Sequence, residues 1–115
     1  MKYQFLHPVE LSIEDIDDII VGAIEGGIDY WLVSCEYKPL VKGGYLYIQS
    51  SDHDPKTLTI RDFVDGLELY YKHNNVLLED MDVSDYDVII QYAYFGEVVY
   101  GWPYWSKFII KQRRK

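Results

Sequence analysis

The sequence predicts an α+β domain in which about three helices pack on a small antiparallel sheet. Three observations lead there. Three segments join a capping signature to apolar residues at helical spacing, short runs between them alternate at the two-residue period of strands, and glycine, proline and asparagine punctuate the joins. With 115 residues, 49% hydrophobic and 17% aromatic, the chain can build one core and is too short for two. Residues 1–115 therefore read as a single domain with a basic C-terminal tail at about 107–115.

Lys2 to Leu6 alternates Tyr3 and Phe5 with polar neighbours, which predicts a short strand or extended arm ended by His7-Pro8. Ser12 with Asp15 forms a capping signature, and Ile13, Ile16, Ile20, Ala23 and Ile24 recur at helical spacing, so a first helix is expected from about Ile13 to Glu25. Gly26 and Gly27 then read as a helix stop that supplies left-handed backbone angles, with Tyr30 and Trp31 packed beneath it. Ile28 to Tyr37 can begin as a helical turn before becoming a strand into Lys38-Pro39.

Tyr45 to Ser50 and Thr57 to Thr59 flank a polar loop and predict an antiparallel hairpin. Thr59 with Asp62 opens a second helix through Ile60, Phe63, Val64, Leu67 and Tyr71, ending near Asn74-Asn75. Ser84 with Asp87 reads as a third cap, with Val88, Ile89, Tyr92 and Phe95 on one helical face and Gly96 as its stop. Glu97 to Tyr100 and Trp105 to Ile110 are expected as strands or extended segments around Gly101-Trp102-Pro103.

Charge is unevenly placed. Residues 1–106 hold 19 acids against 6 Lys or Arg, net −13, whereas residues 107–115 hold 5 bases and no acid, and the whole chain is −8. So acidic a body repels a phosphate backbone, which argues against direct nucleic-acid binding by it and favours a basic protein partner. No apolar run is long enough to span a bilayer, so no membrane is expected. The single cysteine, Cys35, excludes an internal disulfide framework, and with no leader signature the expected location is the cytoplasm.

Catalytic signatures are lacking. Cys35 lies beside Glu36, which raises a thiol pKa, and His7, His53 and His73 fall in no recognised catalytic motif. No enzyme activity and no cofactor are expected. Asp52-His53-Asp54, completed by Cys35 or His73, offers a zinc reading beside that of a solvated turn. The acids from Glu79 to Asp87 lack the glycine and closing glutamate of a calcium loop, and neither glycine pair has phosphate-loop spacing.

Three segments carry a resemblance. AIEGGIDYW, LTIRDFVDGLELYYK and DVSDYDVIIQYAYFGEVVYG together resemble a family of small, largely uncharacterised proteins of tailed phages and prophages of Gram-positive bacteria, over most of residues 12–101 and in the same order. EGGxxYW and QYAYFGEVVYG are its distinctive parts, the middle helix is an ordinary amphipathic pattern, and the chain departs from the family after Gly101. The family brings no catalytic residue to carry over. Small acidic phage proteins of this size include anti-CRISPR inhibitors, so the resemblance implies an anti-defence protein whose partner is a host defence protein, an RNA-guided CRISPR nuclease in particular.

The residues expected to meet that partner are two acidic clusters and an aromatic group. The first cluster is Glu14, Asp15, Asp17 and Asp18, the second is Glu79, Asp80, Asp82, Asp85 and Asp87, and the anchors are Trp102, Tyr104 and Trp105. Surface carboxylates can imitate DNA phosphates, although acids also favour helix N-termini and keep a small protein soluble. Two other readings stay open, a small metal-binding or small-molecule-binding phage protein with a site near residues 51–55 and Cys35, and a phage structural or scaffolding protein.

Overall fold

A computed structural model describes residues 2–5 and 9–101. It is an α+β fold with three helices and two small antiparallel sheets among the described residues, where the sequence predicted one sheet. The first sheet is a hairpin of β1, Lys2–Gln4, and β2, Glu10–Ser12, with Tyr3 opposite Leu11. The second is β3, Leu32–Lys38, β4, Tyr45–Ser50, and β5, Lys56–Leu58, with β4 in the middle. The predicted hairpin is β4 and β5, with Leu46 opposite Leu58 and Tyr47 opposite Thr57.

Strand β4 shows why one face of this sheet is closed. Its residues alternate, so Leu46, Ile48 and Ser50 are buried beneath the helices while Tyr45, Tyr47 and Gln49 lie half-buried on the outer face. Strand β3 pairs with β4 from Lys38 opposite Tyr45 back to Leu32 opposite Ser50, and the register slips at Val33.

Helix α1, Ile13–Gly22, starts at the predicted box, in which Asp15 N–H donates to Ser12 Oγ at 3.1 Å and Ser12 N–H to Asp15 Oδ2 at 2.9 Å. Its end departs from expectation. Residues Ala23–Gly27 continue as a π-helical turn, closed by Ile28 N–H donating to the Ala23 carbonyl at 3.0 Å. The described glycines with positive φ are Gly43 and Gly96, so Gly26 and Gly27 do not form a left-handed cap. Gly27 answers to crowding instead: a Cβ there would sit 2.9 Å from the Val83 carbonyl oxygen.

Helix α2, Ile60–His73, follows its predicted box and bounds, burying Phe63, Leu67, Tyr70 and Tyr71. Helix α3, Val83–Phe95, is buried nearly all round, where one apolar face was expected, because α2, α1 and the sheet enclose it. It ends at Gly96, whose φ of 77° makes the predicted left-handed stop. Residues 97–101 run on without forming a strand, and Trp105 to Ile110 lie outside the described residues.

Candidate functional site

Each predicted acidic cluster divides into buried and exposed members. On α1, Ile16, Ile19 and Ile20 turn inward and carry Asp17 with them. Asp17 is 8% exposed and accepts hydrogen bonds from the Tyr37 hydroxyl, Leu40 N–H at 2.8 Å and Val41 N–H at 3.0 Å. It ties the turn after β3 to α1, and with burial first and Asp17 second the Tyr37 hydroxyl is held well above its ordinary pKa. Asp15 is half-buried in the capping box, whereas Glu14 and Asp18 are exposed.

The second cluster follows the same logic. The cap of α3 is Asp82 with Asp85, two residues earlier than the expected Ser84 with Asp87. Asp82 accepts from the Ser84 N–H at 3.0 Å, the Asp85 N–H at 3.3 Å and the Ser84 hydroxyl, and these bonds, the hydroxyl's foremost, hold its carboxyl below the usual range. Asp85 is 6% exposed and accepts from the Tyr70 hydroxyl at 2.9 Å and Asp82 N–H at 3.0 Å, and its pKa is raised chiefly by burial. Glu79, Asp80 and Asp82 remain exposed.

Asp87 is fully buried and faces the turn after α1. Its Oδ1 accepts from Trp31 Nε1 at 2.7 Å, and its Oδ2 from the Tyr30 hydroxyl at 2.8 Å and Gln91 Nε2 at 3.0 Å. Burial raises its pKa to about 7 against the pull of these three donors. Gln91 extends the network: its Nε2 also donates to the Tyr100 carbonyl at 3.0 Å, and its Oε1 accepts from Val99 N–H at 2.7 Å and Tyr100 N–H at 2.8 Å. The Tyr100 ring stacks on Trp31 with centroids 5.5 Å apart. The two segments most distinctive in sequence thus meet in one buried network, and Tyr30 and Trp31 pack as expected.

Asp17, Asp85 and Asp87 are consequently corrections to the expected partner-contacting set, because their carboxylates are enclosed and bonded internally. Trp102, Tyr104 and Trp105, with the tail at 107–115, lie outside the described residues.

What is left of the clusters is an acidic surface. Glu14, Asp18 and Val21 are exposed at i, i+4 and i+7, one stripe along α1, and Glu25 is exposed on the π turn that follows. The π turn abuts the start of α3: a Cβ on Gly26 would lie 3.8 Å from Val83 Cγ1, and one on Gly22 would lie 2.6 Å from the Tyr86 ring. Val83, exposed at the start of α3, therefore lies beside the π turn that carries the exposed Glu25. The ion pairs among the described residues are Lys2 with Glu10 and Arg61 with Asp65, so no described Lys or Arg is ion-paired with Glu14, Asp18, Glu25, Glu79, Asp80 or Asp82. Glu25 was missed in sequence because the glycines after it read as a helix end.

The alternative site near residues 51–55 comes apart. His53 Nδ1 lies 3.0 Å from Ser50 Oγ, and the Tyr100 hydroxyl donates to Asp52 Oδ2 at 3.2 Å, but Ser50 is 1% exposed and Cys35 is on β3 with its thiol pKa raised by burial. Among the described residues no three of His, Cys, Asp and Glu gather as a metal site, so Asp52, His53 and Asp54 are not brought together with Cys35 or His73. Two adjoining grooves of about 770 and 390 Å³ run along α2 beside Tyr3, Phe5, Asp65 and Glu68, away from that loop. No described helix is long and apolar enough to cross a membrane. No protein-family model, curated protein or solved structure matches the chain.

Proposed function

We propose that this chain is a phage-encoded anti-defence protein, an inhibitor that works by binding and not an enzyme. Its acidic surface occupies the basic, nucleic-acid-binding groove of a host defence protein. The partner class that the sequence resemblance favours is an RNA-guided CRISPR nuclease. The observation that carries the reading is the set of exposed carboxylates, Glu14, Asp18 and Glu25 on α1 and its π turn and Glu79, Asp80 and Asp82 leading into α3, none of which is ion-paired among the described residues. Exposed carboxylates without an ion pair among the described residues keep their field available to a basic partner, speeding encounter and making it sensitive to salt. Val21 and Val83 add exposed apolar area.

The test is competition. A purified RNA-guided nuclease is loaded with labelled target DNA, and the chain is titrated in at low and high salt. Displacement that weakens with salt, and that is lost on reversing Glu14, Asp18 and Glu25 to lysine, supports the reading. Failure to displace across a panel of such nucleases removes the CRISPR assignment.

A further inference from the structure

We infer that residues 97–101 are a strap that opens and closes on the body as a unit, clasped by the Gln91 amide and governed by the charge of Asp87. The segment follows the Gly96 stop and adopts neither helix nor strand. Among the described residues its backbone hydrogen bonds run to one side chain. Gln91 Oε1 accepts from Val99 N–H at 2.7 Å and Tyr100 N–H at 2.8 Å, and Gln91 Nε2 donates to the Tyr100 carbonyl at 3.0 Å. A side-chain amide thus holds both backbone polar groups of Tyr100 as a neighbouring strand would. Val98 and Tyr100 rest against the core, whereas Glu97, Val99 and Gly101 are exposed. A surface segment with so few ties belongs to the parts of a fold that open well below the free energy of global unfolding.

Asp87 is covered by the residues that the strap covers. Trp31 donates to its Oδ1 and Gln91 to its Oδ2, and Tyr100 stacks on Trp31, with centroids 5.5 Å apart, while its backbone bonds Gln91. Trp31 is 3% exposed and Gln91 0%, so lifting Tyr100 bares both and admits water to the carboxylate. The closed strap therefore favours the proton on Asp87, and the open strap favours the charge. That proton lies between Oδ2 and the Tyr30 oxygen, 2.8 Å apart, and leaves Oδ2 a lone pair for Gln91. Tyr30 is the titratable group on the carboxylate, Trp31 and Gln91 are neutral, and Gly27 packs beside it with backbone alone. Asp52 and His53 stand at the far end of the strap, 3.2 and 3.4 Å from the Tyr100 hydroxyl. Asp87 titrates at about 7 when enclosed and at 3.8 ordinarily, so the strap is shut in mild acid and opens as pH rises through about 7. Because it ends at Gly101, the strap sets the point from which residues 102–115, with five Lys and Arg, continue.

The experiment is amide hydrogen exchange of the full chain, read by NMR from about pH 5 to 8 and expressed as protection relative to the intrinsic rate at each pH. Val99 and Tyr100 are expected to share one protection factor, at least about tenfold below that of Ile90 in α3, and to lose about tenfold in protection across the range. Asp87→Asn is expected to flatten this pH dependence and His53→Gln to keep it. Gln91→Leu removes the clasp and is expected to leave both amides unprotected while Ile90 stays protected. Protection of Val99 and Tyr100 equal to that of Ile90, no protection at any pH, or protection that does not change with pH overturns the proposal. A pH dependence that survives Asp87→Asn, or that vanishes with His53→Gln, also overturns it. Where a variant fails to fold, the wild-type profile still decides.

Discussion

Trp31 Nε1 donates a hydrogen bond to Asp87 Oδ1 at 2.7 Å, joining the turn after α1 to the middle of α3 across 56 positions of sequence. The bond is buried, and the donors on the carboxylate it serves, Trp31, Tyr30 and Gln91, are neutral. Trp31→Phe preserves much of the ring packing and removes that donor. A buried acceptor so deprived costs on the order of 1–3 kcal/mol, to be read as a loss of unfolding free energy in urea.

The same carboxylate sets a pH dependence. Its pKa is about 7 in the folded chain and 3.8 ordinarily, so between those values the folded state holds the proton more tightly than the unfolded state. The stabilisation is complete below the ordinary pKa and is lost as pH rises through about 7, with a slope of up to about 1.4 kcal/mol per pH unit. Asp87→Asn removes the titration. Urea melts from pH 4 to 8 should show wild-type stability falling relative to this variant across the window, and a constant difference would contradict the assignment.

The twin glycines should respond differently to alanine. A Cβ on Gly27 would press on the Val83 carbonyl at 2.9 Å, whereas one on Gly26 would make an ordinary contact with Val83 Cγ1 at 3.8 Å. Neither has positive φ. Gly27→Ala is therefore expected to cost about 1–3 kcal/mol and Gly26→Ala to be neutral or slightly stabilising, as thermal melts will read. Equal losses would restore the left-handed cap that the glycine pair suggests in sequence.

Adjacent acids on α1 make a third contrast. Asp17→Ala strips the acceptor from the Tyr37 hydroxyl and two backbone N–H groups, and about 2–4 kcal/mol of stability should go with it. Asp18 is exposed and Asp18→Ala should change stability by no more than about 0.5 kcal/mol. Melts of the two variants side by side separate the structural acid from the surface one.

The helices, the β4–β5 hairpin and the Gly96 stop were legible because each rests on local signals: a capping pair, an apolar period, a glycine required by positive φ. What escaped was set by distant partners. Nothing near Asp87 in the chain reveals that Trp31 and Tyr30 will turn it inward, so it passed for a capping acid, and the true cap lies two residues earlier at Asp82. The one available clue was an acid and a glutamine four apart in an otherwise apolar helix, Asp87 and Gln91. Likewise, acids at Asp17 and Asp18 look alike in composition, and only the helical angle, fixed by the buried isoleucines, sends one inward and the other to water.

The most direct measurement is quantitative affinity capture from lysates of a Gram-positive host expressing CRISPR and restriction systems, comparing the wild-type chain with a Glu14, Asp18 and Glu25 to lysine variant of equal thermal stability. All three positions are exposed and outside the capping and buried networks, so reversal tests the surface and not the fold. The expected result is a defence nuclease retained near stoichiometrically by the wild type, eluted by salt, and absent from the variant. Retention of no such protein, or equal retention by the variant, would contradict an acidic surface built for a basic partner.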